Sequence, residues 1–164
     1  MIDLLKFYKN EAKNNRGVAL EDIWSYSDVQ LERKHNYVQW LFPTDDKSSF
    51  NWSSPVLSRE DVEMLRNDET IMKNFRKSLE IMMSFYGFEL SDNSVVFADN
   101  FEMKAKNWIT PNNHNYKRIS RILRFLTIFE FDDIKMSLVK ILDKVYERCG
   151  DMIGDKSYRI WKIV

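Results

Sequence analysis

Between Asp68 and Tyr86 the side chains of Ile71, Phe75, Leu79, Met82 and Tyr86 return at three- and four-residue intervals, and Gly87 follows directly. That spacing stacks all five on one face of an α-helix, and glycine is the residue that most readily takes the left-handed turn ending one. The same period recurs along most of the chain. Ile2 to about Asn14 carries Ile2, Leu4, Leu5, Phe7, Tyr8 and Ala12 on a broad apolar face before Gly17. Ile119, Ile122, Leu123 and Leu126 form another face, and Ile134, Leu138, Ile141 and Val145 a third. The acids Asp132 and Asp133 open the last of these helices, where the positive end of the dipole favours them.

Local capping chemistry marks further starts. Ser27-Asp28-Val29-Gln30 has the spacing in which a serine hydroxyl accepts from the third amide while the glutamine reaches back. This predicts a helix that carries His35-Asn36-Tyr37 and is ended by Pro43, since a residue preceding proline is pushed out of helical geometry. Ser58, with Asp61 in the reciprocal position, predicts a helix to about Arg66. Helix is also expected near Ala98 to Trp108, with Thr110-Pro111-Asn112-Asn113 as the break and the source of caps for the next. Val95-Val96-Phe97 is too short to type, and the apolar tail SYRIWKIV reads equally as a docked strand or helix.

The 164 residues suit a single core, because two cores in a chain of this length would each be marginal. The expected fold is therefore all-α: a single compact domain over 1–164 with about six to eight helices and room for a short extended segment at the C-terminus. A hydrophobic share of 44% is enough to fold without metal or disulfide staples, and the lone Cys149 cannot pair within the chain. No stretch reaches the roughly 18 apolar residues of a membrane span. An intracellular, soluble protein of the cytoplasm or nucleus is expected.

Formal charge is zero, so the molecule as a whole exerts no pull on nucleic acid or acidic membranes. Its distribution is uneven. Leu20 to Thr70 holds eleven acidic and five basic side chains, whereas Phe101 to Phe125 holds six basic residues against Glu102 alone. On the 114–129 helix Lys117, Arg121 and Arg124 line up opposite the apolar side, with Arg118 at the flank. A solvated helix exterior and a phosphate-binding face both fit that pattern.

The triplet His-Asn-Tyr occurs twice, at 35–37 and 114–116. The first copy falls mid-helix, where Leu31, His35, Val38 and Phe42 share a stripe, which predicts an inward-facing, hydrogen-bonded histidine. The second follows the asparagine caps, so His114 is expected to be exposed or capping. The differing contexts argue against a duplicated unit. Chemistry at these histidines has little support: a closed metal site wants four His and Cys ligands at short spacings, and only His35, His114 and Cys149 exist. A Cys–His nucleophile would come without an elbow motif, and four glycines build no phosphate loop. No catalytic residue, metal or cofactor is expected.

The irregular stretch 43–57, PTDDKSSFNWSSPVL, is of a length usually either functional or disordered, and Phe50 and Trp52 argue for order. Those rings either anchor the loop on the core or, with Tyr37 and Trp40, line a groove. Met72, Met82 and Met83 read as core filler before they read as a peptide surface.

Five segments taken together, FYKNEAKNN at 7–15, DIW at 22–24, HNYVQWLFP at 35–43, FYGFEL at 85–90 and NHNYKRISRIL at 113–123, resemble in order and spacing the blocks of the opioid growth factor receptor conserved region. The resemblance covers about residues 4–148. It implies a helical module unrelated to seven-helix opioid receptors, with a regulatory role in growth and Met-enkephalin as the reported ligand of vertebrate members. It carries over no catalytic or contact residue. The binding reading draws on His35, Asn36, Tyr37, Trp40, Trp52, His114, Asn115 and Tyr116, with a peptide or protein as partner. The alternative is nucleic acid or a phosphate ligand on Lys117, Arg118, Arg121 and Arg124.

Overall fold

A computed structural model describes residues 3–47 and 53–164. Within it the chain divides into two compact units, Met1–Ile81 and Met82–Val164. Ten helices and one two-stranded antiparallel sheet make up the regular structure of the described residues. The expectation of an all-α fold with six to eight helices is thus corrected on two counts: several predicted helices are broken into shorter pieces, and a hairpin interrupts the helical run.

In the first unit α1 covers only Leu4–Tyr8, capped by the Asp3 side chain accepting from the Lys6 amide at 3.1 Å. Asparagines stop it well before Asn14. Asn10 sits at φ 64°, and the Asn14 Oδ1 accepts from the amides of Arg16 and Val18 at 2.9 and 3.1 Å, so side-chain oxygens take donors that a helix would have used. The helix α2, Leu20–Trp24, follows, and then α3, Asp28–Arg33, whose Ser27/Gln30 capping box forms as its spacing predicts. The expected long helix breaks after Arg33. Lys34 is extended, and the Tyr37 hydroxyl folds back to donate to the Leu31 carbonyl at 2.7 Å, so that a side chain serves an acceptor at the end of α3. The short α4, Val38–Leu41, resumes and ends at Phe42, ahead of Pro43.

The neck of the 43–57 loop is closed by a parallel bridge between Thr44 and Val56 and by the Leu57 amide on the Thr44 carbonyl at 2.9 Å. Phe50 and Trp52 lie outside the described residues. The helix α5, Arg59–Arg66, starts at the Ser58/Asp61 box, and α6, Glu69–Tyr86, bears the opening apolar stripe, with Ile71, Phe75, Leu79, Met82 and Tyr86 all buried. Aromatic edges bind the first unit together: Phe7 meets Tyr8 and Trp40 at centroid distances of 4.9 and 5.1 Å, and Tyr8 meets Phe75 at 5.1 Å.

The last turn of α6 belongs to the second unit, where Met82 and Met83 are buried as core filler. Gly87 stops the helix at φ 83°. A Cβ there would stand 2.9 Å from the Phe101 Cα and 3.0 Å from the Lys104 Cβ. Gly87→Ala therefore combines left-handed strain with overpacking, and urea unfolding is expected to show a loss of about 2–3 kcal/mol.

The strands β1, Phe88–Ser91, and β2, Ser94–Phe97, pair in register with Phe88 opposite Phe97 and Leu90 opposite Val95, across a turn in which Asp92 takes φ 50°. The hairpin is pinned from outside itself. The Ser137 hydroxyl accepts from the Val95 amide at 2.7 Å and donates to its carbonyl at 3.2 Å, standing in for a missing third strand. Ser137 lies on α9, Asp132–Ile153, which is preceded by α7, Phe101–Trp108, and α8, Asn115–Ile128. α9 kinks at Cys149, φ −130°, and Gly154 turns the chain into α10, Asp155–Ile163. The tail is a helix, and it docks: Trp161 is buried and donates its Nε1 hydrogen to the Tyr116 carbonyl at 3.1 Å, while the rings of Tyr146 and Tyr158 stack in parallel at 3.8 Å.

Candidate functional site

The two His-Asn-Tyr segments fall in different units and have opposite characters. In the first unit the triplet is the corner between α3 and α4. His35 and Asn36 are exposed, whereas Tyr37 and Trp40 are buried, Tyr37 against the edge of Tyr26 at 5.9 Å and Trp40 against Phe7. The expected inward stripe therefore keeps Leu31, Val38 and Phe42 but loses His35. The reason is geometric: the break at Lys34 shifts the helical phase, and a histidine that an unbroken helix would turn inward is rotated to the surface. Lys34 holds its ammonium over the Tyr26 ring at 5.1 Å, so a cation borders the corner. Burial, and then the charge of Asp22, raise the Tyr26 phenol above its usual value.

In the second unit the triplet is a hydrogen-bonded hub. Asn113 supplies the cap that His114 does not, its Oδ1 accepting from the Asn115 amide and from the Asn115 Nδ2 at 2.9 Å each. His114 is half-buried at the N-cap position. Asn115 is fully buried, and its Oδ1 accepts from the Tyr86 hydroxyl and from the Arg118 Nη1, both at 3.3 Å. Around it run Tyr86, Trp108, Tyr116 and Trp161 in successive edge contacts, with the Trp108 Nε1 donating to the Tyr86 carbonyl at 3.0 Å.

The Tyr116 hydroxyl donates to the Thr110 carbonyl at 2.6 Å and so closes the preceding turn. Burial raises this phenol above its usual value. Since the folded chain holds the proton more tightly than the unfolded one, the contribution of this group is intact below the unfolded phenol value and disappears as pH climbs through the folded one. Stability, followed by circular dichroism, should fall above about pH 10. Tyr116→Phe should cost about 1 kcal/mol at neutral pH through the lost hydrogen bond and flatten the alkaline decline.

The basic face of α8 is narrower than its sequence implies. Lys117 is exposed, Arg121 and Arg124 are half-buried, and Arg118 is buried at 7% exposure, drawn inward by Asn115. A helix wheel places Arg118 at the flank, and its reach toward Asn115 one turn back decides the matter. Among the described residues no group of three or more His, Cys, Asp and Glu side chains gathers to hold a metal, and no helix is long and apolar enough to cross a membrane.

Two pairs of the five family-like segments meet as packing seams. Phe7, from the 7–15 segment, lies against Trp40 of the 35–43 segment, and Tyr86 of the 85–90 segment bonds Asn115 of the 113–123 segment. Sequence reasoning places Asn115 among the binding candidates just after the asparagine caps and does not foresee its role as a buried hub bonded to Tyr86 and Arg118. The one available signal was its position on the apolar side of α8, four residues before Ile119.

The family model of the opioid growth factor receptor (OGFr) conserved region matches residues 1–147, across both units. The chain is 34% identical over 143 residues to the opioid growth factor receptor of Rattus norvegicus, an alignment covering 83% of this chain and 24% of that protein. The receptor of Mus musculus is 33% identical, with 83% and 22% covered. Opioid growth factor receptor-like protein 1 of Xenopus tropicalis is 32% identical, with 84% and 28% covered. The match thus spans about a quarter of the length of these relatives, and no solved structure is a significant match. With both packing seams inside the matched region, the chain belongs to the opioid growth factor receptor conserved-region family.

Proposed function

We propose that the 164 residues act inside the cell as one non-enzymatic binding module that takes a peptide or protein in a regulatory role. The observation carrying this reading is family membership: relatives are named opioid growth factor receptor and opioid growth factor receptor-like protein 1, and the matched region extends over nearly the whole chain. Local geometry supports a division of labour. His35 and Asn36 stand exposed beside the buried Tyr37 and Trp40 in the sequence, polar groups at a corner held by anchored aromatics and available to a peptide main chain. His114, Asn115 and Tyr116 act by holding their own unit in shape. Nucleic-acid binding through α8 is the less favoured reading, because Arg118 is turned inward and, of the four cations, Lys117 alone is exposed while Arg121 and Arg124 are half-buried.

Fluorescence anisotropy with a labelled opioid growth factor peptide tests the proposal. Saturable binding that survives Lys117→Glu supports it. A flat titration, with saturable capture of a short DNA duplex that Lys117→Glu removes, overturns it in favour of the α8 face.

A further inference from the structure

In the second unit a groove of about 680 Å³ opens along α9 and α10, lined by Asp132, Lys135, Met136, Val139, Lys140 and Asp143 with Lys162 opposite. The α9 residues run in two adjacent rows, Asp132, Lys135, Val139, Asp143 and Asp132, Met136, Lys140, Asp143, each stepping by three or four, so they form a single outward stripe, distinct from the buried stripe of Ile134, Leu138, Ile141, Leu142 and Val145. Its middle is apolar: Val139 is half-buried and Met136 is 57% exposed. The far wall is preformed. Lys162 donates to both Asp143 oxygens at 2.9 and 3.0 Å, the Tyr158 hydroxyl donates to the same carboxylate at 2.8 Å, and Trp161 anchors α10 on α8.

Charge decides what fits. Asp143 is already satisfied by Lys162 and Tyr158, and Asp132 sits in the first turn of α9, where the helix dipole favours it. Lys135 is held by two oxygens, the Thr127 hydroxyl and the Val164 main chain, and Lys140 is exposed and makes no hydrogen bond or ion pair among the described residues. The groove therefore sets Lys140, and with it the hydrogen-bonded Lys135, around an apolar centre and asks for carboxylates around an apolar anchor. It is more open than enclosed, so a long acyl chain would leave much of its length in water, while a peptide needs to seat only one or two side chains. A phosphate backbone would meet Asp132 and Asp143 and gain nothing from Met136.

We propose that this groove docks an acidic amphipathic peptide segment, with an apolar side chain on Met136 and Val139 and carboxylates toward Lys140 and Lys135. The family match ends at residue 147, and α10, which supplies Lys162, lies beyond it; the groove belongs to the second unit and the corner at His35 and Asn36 to the first.

The test is fluorescence anisotropy on the full chain with a short fluorescein-labelled synthetic peptide carrying glutamates on both sides of a central phenylalanine pair. Saturable binding is expected, weakened about tenfold or more by Lys140→Glu and by Met136→Asp, weakened by raising salt from about 0.05 to 0.5 M, and absent for the peptide with lysines in place of its glutamates. Both substitutions are at exposed positions, and unchanged far-UV circular dichroism certifies the fold. No saturable binding, or binding equal in both variants, overturns the proposal. So does a Met136→Asp-sensitive site that takes oleate or single-stranded DNA and not the acidic peptide. Substituting His35 and Asn36 is expected to leave this titration unchanged, which separates its outcome from that of the peptide-receptor reading.

Discussion

Trp40→Ala is expected to destabilise the first unit by about 3–5 kcal/mol, read as a fall in urea midpoint at constant slope. The ring is fully buried, its edge lies on Phe7 at 5.1 Å, and Phe7 in turn meets Tyr8 and through it Phe75, so removing the indole opens a cavity at one end of a buried aromatic chain. Trp40→Phe makes the reading sharper. The Trp40 Nε1 hydrogen finds no acceptor among the described residues, and a buried donor without one is a cost the folded chain carries. Phenylalanine keeps most of the ring contact and discards that cost, so its loss should be well under half that of alanine. If both variants melt like the parent, the ring is not the packing element its burial implies.

The second large effect falls on Asn115. Replacing it by leucine keeps the branched side-chain shape, with bulkier methyl groups, but removes the oxygen that the Tyr86 hydroxyl and the Arg118 guanidinium share, and with it the Nδ2 donor to Asn113. A cation at 7% exposure that loses a neighbouring acceptor is costly, and we expect a loss of about 2–4 kcal/mol. Asn115→Asp retains an acceptor for both donors and sets a carboxylate beside Arg118, so it should lose less than leucine does. Equal losses for the two would mean that shape, and not the shared oxygen, governs the hub.

These two positions show what a sequence can disclose about this fold. Helices whose signals are local were legible: α5 from Ser58 and Asp61, α6 from its apolar period and Gly87, α8 and α9 from their stripes. Features that depend on a distant partner were not. The hairpin's outer edge is satisfied by Ser137, more than forty residues from Val95, and no window around Val95-Val96-Phe97 contains that information. The expected helix through His35 breaks at the extended Lys34, where the Tyr37 phenol takes the Leu31 carbonyl, and His35 lies at the surface instead of in the expected interior. The candidate site was half legible for the same reason. The His-Asn-Tyr recurrence is visible in the letters, but which copy is buried follows from Tyr86 and Trp161, and from the break after Arg33.

The central claim is that the first copy contacts a ligand while the second holds its own unit together. The double substitution His35→Ala with Asn36→Ala tests it most directly, with peptide anisotropy and thermal melting measured on the same sample. The account predicts a melting temperature within about 2 °C of the parent, because both side chains are exposed, together with at least a tenfold loss of affinity for the opioid growth factor peptide. Full affinity in that double variant, or a collapse of its melting transition, would contradict it.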